Sequence, residues 1–125
     1  MDKRRVTIRT VPQPSDLNKN GNIFGGWVLS QMDVAGGAVA GRRARGPVAT
    51  VAVEGMKFHR PIEVGDVVSV YADVREVGRT SITVDIEVFA ERGAAGEEHK
   101  VTEAVYIFVA LDENLQPRAL ENDKV

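Results

Sequence analysis

The stretch from Asn22 to Arg43, NIFGGWVLSQMDVAGGAVAGRR, decides how the rest of the chain is read. From Gly25 to Ala40 its only polar side chains are Ser30, Gln31 and Asp33. A helix that is apolar nearly all round is expected to be buried on all sides. Glycine recurs at Gly25, Gly26, Gly36, Gly37 and Gly41. Each glycine inside a helix costs roughly 1 kcal/mol relative to alanine, so tertiary packing must supply the order. The missing side chains also allow a second backbone or a ligand to come close. Helical spacing puts Val28, Met32, Ala35 and Val39 on one core stripe. Gly26, Ser30, Asp33, Gly37 and Ala40 share the opposite face, where the lone carboxylate stands among the smallest side chains available. A buried carboxylate without a partner is costly and tends to take up a proton. With open space beside it, such a group is a functional-site candidate.

Outward from this helix the chain reads as strands and turns. Lys3 to Val11 alternates in period 2 and predicts a strand that Pro12 and Pro14 stop. Ser15 to Gly21 is turn chemistry, with asparagines whose ordinary role is to shape the loop. Arg42, Arg43 and Arg45 suit the negative end of the helix dipole, and Gly46-Pro47 closes the helix. Val48 to Phe58 predicts a strand with a bulge or close approach at Gly55. His59 to Asp66 is a connector around Pro61 and Gly65. Val67 to Val77 and Thr80 to Ala90 predict a hairpin whose Gly78-Arg79 loop fits a type II′ turn. Glu91 to His99 reads as a solvated loop, and Lys100 to Leu111 as the last strand. One helix and one long antiparallel sheet of five strands must bury each other, which predicts a two-layer α+β domain with the sheet curled around the helix. An open sheet leaves edges, commonly covered by another subunit. A single domain over residues 1–125 is expected, with 120–125 as a frayed tail.

Composition limits the function. The net charge of −2 gives no general attraction to nucleic acid or to an anionic membrane. There is no cysteine, hence no disulfide and no thiolate nucleophile. No apolar run follows the opening charges of MDKRRVTIRT, so no signal peptide is expected, and a soluble cytoplasmic protein is the reading. Neither a GxSxG elbow nor a phosphate-binding P-loop is present. His59 and His99 lack ligand spacing, so no metal site is expected; His59 reads as a turn residue and His99 as a loop residue.

What remains gathers at the start of the helix. Gly25 and Gly26 place unpaired N–H groups at a positive helix end, where a developing oxyanion can be held. Asp33 follows two turns on, and Asn18 and Asn22 precede the helix, able to orient a water or a carbonyl. Donors, a carboxylate and an amide together point to acyl transfer to water, with Asp33 as general base or as nucleophile. Trp27, Val28, Met32 and Phe58 can line an acyl slot or simply be core.

The run SDLNKNGNIFGGWVLSQMDVAGGAVA closely resembles the opening of the hot-dog-fold acyl-CoA thioesterases of the bacterial YciA type. The stretches VAVEGMKFHRPIEVGDVV, VGRTSI and VTEAVYIFVALD resemble the same family's later strands, so the likeness runs from about Arg5 to Arg118. The resemblance implies the hot-dog fold and hydrolysis of acyl-CoA to a free acid and CoA, with no cofactor beyond the CoA of the substrate. It implies Asp33 as the catalytic carboxylate, Asn18 as its partner from the other chain of a dimer, and Gly26 as N–H donor to the thioester carbonyl. It implies assembly as a trimer of dimers, and a phosphate-rich CoA half that needs cations near the pocket mouth, with Arg79 first, Thr80 and Ser81 beside it, and Arg60 and Lys57 as second choices. A non-catalytic acyl-CoA sensor is the alternative. An acyl-thioester hydratase is disfavoured because no histidine occurs before His59.

Overall fold

The glycine-rich run folds as α1, Gly25–Ala44, in a computed structural model that describes residues 5–23 and 25–121. Around it are β1 (Ile8–Thr10), β2 (Val48–Phe58), β3 (Val67–Val77), β4 (Ser81–Arg92) and β5 (Glu97–Ala110), with a short 3-10 turn at Pro14–Asp16. The strands form one antiparallel sheet in the order β1-β3-β4-β5-β2. This is the expected helix wrapped by five strands, the hot-dog arrangement. Residues 1–4, where the first strand was expected to begin, lie outside the described residues.

Alternation along β4 sends Ile82, Val84, Ile86, Val88 and Ala90 to the helix side, where β5 contributes Ala104, Tyr106, Phe108 and Ala110. The helix meets this surface with Val28, Met32, Ala35, Gly36, Ala40 and Ala44. Gly36 marks the closest approach. A Cβ there would lie 2.9 Å from both Ile86 Cδ1 and Phe108 Cζ, nearer than real Cβ contacts come. Ala40, expected opposite the core stripe, is fully buried within it. The expectation of burial on all sides also fails, because one helix covers only part of a five-stranded sheet. Leu29 and Val34 remain exposed, Val34 at 60%, and so does Asp33.

The helix ends in a Schellman motif. The Gly46 N–H reaches the Gly41 carbonyl (3.2 Å) and the Arg45 N–H the Arg42 carbonyl (3.3 Å). The left-handed residue is Arg45 (φ 57), not the glycine that was expected to close the helix. Arg118 Nη2 donates to the Ala44 carbonyl (2.5 Å), satisfying another helix-end acceptor.

Several turns depart from expectation. In the β3–β4 hairpin Gly78 pairs with Ser81 (N–H to carbonyl, 2.8 Å), so Arg79 and Thr80 form the corner. Gly78 has no positive φ, which excludes the type II′ turn; a Cβ there would lie 2.7 Å from Ser81 Oγ. The loop expected over Glu91–His99 is mostly strand, because β4 and β5 pair as far as Arg92 and Glu97. His99 therefore belongs to β5. Leu120, expected in the frayed tail, packs against the core and donates its N–H to the Arg79 carbonyl (2.7 Å); residues 122–125 lie outside the described residues.

Arg92 has a reason to stay in a strand. Its Nε and Nη2 grip both oxygens of the buried Asp66 (2.9 and 2.8 Å), and Asp66 Oδ2 also accepts the Glu63 N–H (2.9 Å). Burial alone would raise the Asp66 carboxyl. The hydrogen bonds from Arg92 and Glu63 and the charge of Arg92 outweigh it and hold the group below its ordinary value.

Two outcomes follow for stability. Gly36→Ala overpacks the helix–sheet contact, and its cost of about 1–3 kcal/mol exceeds the roughly 1 kcal/mol gained in helix propensity. It lowers the melting temperature, whereas Gly41→Ala, whose Cβ would sit 3.6 Å from its nearest neighbour, does not. Because the Asp66 carboxyl is held low, its contribution is present above about pH 4 and is lost as pH falls through the folded-state value. Asp66→Asn is destabilised by about 1–3 kcal/mol at neutral pH, and the gap from wild type narrows in acid, as urea titrations across pH will show.

Candidate active site

The helix N-terminus opens beside the β2–β3 connector. Ile23, Gly25, Val28, Phe58, Arg60, Pro61, Ile62 and Val101 line a depression of about 200 Å³ there. The structure thus brings together Gly25, Val28, Phe58 and Arg60, four of the residues singled out in the sequence. A Cβ on Gly25 would meet the Phe58 ring at 3.8 Å, ordinary contact. The first helical N–H groups, those of Gly25 and Gly26 among them, have no acceptor within the helix. Val28 and Met32 are buried core, Trp27 packs partly against it, and Phe58 is 55% exposed at the mouth of the depression.

Asp33 lies seven residues beyond Gly26, about 10 Å along the helix axis. It is not buried in the protomer, as the sequence had suggested, but faces the side the sheet leaves open. It does have a partner: Thr50 of β2 donates its hydroxyl to Asp33 Oδ1 at 2.5 Å. One carboxylate oxygen is thereby fixed and the other is left for a ligand. Thr50 was not singled out in the sequence; its place among inward-facing positions of a β-branched strand was the available signal. Next to this pair run the exposed apolar side chains Val34, Val51 and Val53.

Beneath the pair, Tyr106 of β5 is buried and donates its hydroxyl to the Leu29 carbonyl (3.0 Å). Burial, and then the negative charge of Asp33, push its phenol up to about 12. It therefore remains a donor throughout the neutral range.

Asn18 shapes the loop before the helix. Its Oδ1 accepts the N–H groups of Asn20 (2.8 Å) and Asn22 (3.2 Å), and the Leu17–Ile23 bridge closes the loop. Two backbone donors fix the amide orientation, so the Nδ2 hydrogens face away from the loop and remain as donors.

Of the other cations, Arg79 is not brought to this end of one protomer, and Lys57, beside Phe58 in β2, lines a different depression. Thr80 and Arg79 sit at the β3–β4 corner, where their carbonyls hold Ala110 and Leu120, and Ser81 closes that corner against Gly78. Ala110 pairs with Val48 at one end of β2, whereas Phe58 pairs with Thr102 at the other. The corner and the Gly25 depression therefore occupy opposite ends of the sheet. Lys57 is paired with Glu103 on the outer face and lines a separate depression of about 390 Å³ with Arg75, Asp85, Glu87 and Glu103, where the carboxylates of Asp85 and Glu87 are matched by Arg75 and Lys100. There His59 Nε2 lies 2.6 Å from Glu103 and Lys100 donates to it at 3.0 Å, and these two hold the Glu103 carboxyl low. His59, read from the sequence as a turn residue, thus also makes a side-chain hydrogen bond to Glu103. Among the described residues no group of three or more His, Asp or Glu is placed to hold a metal, and no helix is long and apolar enough to cross a membrane.

Comparison with known proteins matches this arrangement to one family. The model of the thioesterase superfamily matches residues 20–97, from the Asn18 loop's end through the β4–β5 hairpin. The chain is 48% identical over 118 residues to the acyl-CoA thioester hydrolase YciA of Salmonella typhimurium, spanning 92% of this chain and 89% of that one. YciA of Escherichia coli gives the same figures, 48% over 118 residues. Among solved structures, the hexameric broad-specificity acyl-coenzyme A thioesterase HI0827 superposes with a TM-score of 0.90 at 46% identity, covering 99% of this chain and 86% of that one. The hexameric thioesterase y2039 of Yersinia pestis gives 0.91 at 43% identity over 98% of this chain and 99% of its own. The chain belongs to the thioesterase superfamily, among the hot-dog acyl-CoA thioester hydrolases of the YciA type.

Proposed function

We propose that this protein hydrolyses acyl-CoA thioesters to the free carboxylic acid and CoA, with Asp33 as the working carboxylate. The observation that carries the reading is Asp33 itself: a carboxylate held at one oxygen by Thr50, on the open side of an otherwise apolar helix. The relatives named as acyl-CoA thioester hydrolases support the substrate class.

The chemistry follows from the parts. The thioester carbonyl sits against a helix N-terminus, where the Gly26 N–H, with Gly25 beside it, stabilises the oxyanion; because Gly26 and Asp33 of one chain are about 10 Å apart along the helix, that N-terminus is the second copy's. Asp33 either takes a proton from a water that attacks the carbonyl carbon or attacks that carbon itself to give an anhydride that water then opens. In both routes the C–S bond breaks, the thiolate of CoA leaves and is protonated, and the acid departs as a carboxylate.

The site is proposed to be completed by a second copy. β2 ends the sheet, and Val51 and Val53 are 57% and 43% exposed beside Val34 and Asp33. Pairing two such edges would cover this apolar strip and bring the partner's Asn18 to Asp33, its Nδ2 donors toward the water or carbonyl. The same pairing would let Arg79, Thr80 and Ser81 of a neighbouring copy serve the phosphates of CoA, with Arg60 nearer the thioester. A hexamer built as a trimer of dimers is the proposed assembly, as the solved relatives are hexameric. A cytoplasmic setting belongs to the same proposal.

The test is thiol release from a panel of short to long acyl-CoAs, read with a thiol dye to which this cysteine-free chain gives no background. Asp33→Asn is expected to lower kcat by a factor of about 10²–10⁴ while remaining folded, and Thr50→Val by about tenfold. Equal rates in wild type and Asp33→Asn would move the chemistry elsewhere. Binding of acyl-CoA with no turnover by wild type would leave a sensor on a thioesterase scaffold. Val53→Glu, which places a charge in the proposed interface, is expected to shift sedimentation to smaller species and to lose activity with it. A fully active monomer would put the whole site in one chain.

A further inference from the structure

Tyr106 is a buried polar group that the proposed reaction does not use. It projects from the middle of β5 under the helix, is 1% exposed, and stacks on Phe108 at a centroid distance of 6.2 Å and 22°. Among the described residues its hydroxyl finds a single partner, the Leu29 carbonyl at 3.0 Å. The helical i→i−4 pattern assigns that same carbonyl to the N–H of Asp33. One acceptor therefore joins the sheet, through Tyr106, to the peptide that carries Asp33.

The surrounding contacts explain why a directional bond is needed here. The turn from Leu29 to Asp33 packs on the sheet through the fully buried Met32, while Leu29, Ser30 and Asp33 stay exposed, and the close approach of the helix to the sheet comes a turn later, at Gly36. A glycine contact sets how close the helix lies but resists rolling and sliding weakly, since it offers no side chain to interlock. The Tyr106 bond adds both an angle and an axial position. Thr50 then fixes the carboxylate at the other end of the same residue.

We propose that Tyr106 is a positioning residue for Asp33: through the shared Leu29 carbonyl it sets the roll and height of the helical turn that presents the carboxylate. The proposal rests on Asp33 being the working carboxylate. The Tyr106 hydroxyl is buried and bonded to backbone, so its loss acts on the geometry of the reacting groups and not on substrate binding.

The experiment compares kcat and KM for acyl-CoA hydrolysis in the assembled wild type, Tyr106→Phe, Asp33→Asn and Val70→Ala. Val70 is fully buried on β3, paired with Ile8 and Val88 away from β5, and serves as a control for lost stability. Tyr106→Phe is expected to lower kcat about fivefold with KM unchanged within twofold, at a temperature where all variants are folded. Val70→Ala is expected to keep the wild-type kcat there despite a lower melting temperature. A wild-type kcat in Tyr106→Phe, or an equal kcat loss in Val70→Ala, overturns the positioning role. A rise in KM alone also overturns it, by assigning the hydroxyl to binding. Full activity in Asp33→Asn would instead overturn the reading of the carboxylate on which this inference stands.

Discussion

The contact between the helix and the sheet at Gly36 is the constraint from which the rest of the molecule follows. No side chain separates the two layers there, and Ile86 and Phe108 fill the place where one would be. A helix drawn this close buries its Met32, Ala35 and Ala40 completely. It also uses up the sheet's central surface with a single narrow element. A second helix of similar width is needed to cover the strip that runs past Asp33 to β2, and the described residues contain only one α-helix. The exposed valines of that strip are therefore a direct result of the tight packing beside it.

This geometry accounts for a carboxylate that is neither core nor ordinary surface. In a lone protomer Asp33 is open to solvent, with one oxygen bonded to Thr50 and the residue exposed. Covering the strip would strip water from the second oxygen and strengthen every interaction it makes, since the local dielectric falls. The fold thus stores the polar group at the margin of an apolar surface, where closure changes its environment most. The same logic separates it from Asp66, whose two oxygens are both occupied by Arg92 and the Glu63 amide and which serves the fold alone.

Much of this was legible in the residues, for physical reasons that differ by element. The helix, β2 and β3 were bounded to within a residue, since a Gly-rich apolar run and β-branched alternation have no competing reading. The bulge at Gly55 was legible because φ +60 in a strand suits glycine. The hairpin at Gly78 misled because glycine there answers to a close Ser81 side chain and not to a positive φ. The extension of β4 and β5 was hidden by a polar, glycine-containing stretch whose order comes from Arg92 reaching back to Asp66, a contact 26 residues away. Asp33 stood out by charge alone, but Thr50 and Tyr106 did not. Their roles depend on β2 and β5 lying next to the helix, which no local pattern encodes. The separation of Arg79 from Gly25 in one protomer is likewise a fact of topology.

The strand order has a consequence for how this chain acquires its structure. β3, β4 and β5 follow one another as a meander, while β2, made earlier, pairs only with β5, as in Val48 with Ala110. During synthesis β2 and the helix leave the ribosome well before the strand that will receive them. Such long-range pairing costs loop-closure entropy before it returns any contact, and it slows folding. The nascent helix, apolar and weakened by its glycines, must wait for the meander to present Ile86, Tyr106 and Phe108. Synthesis of the last strand, not of the helix, is then the event that commits the chain to its fold.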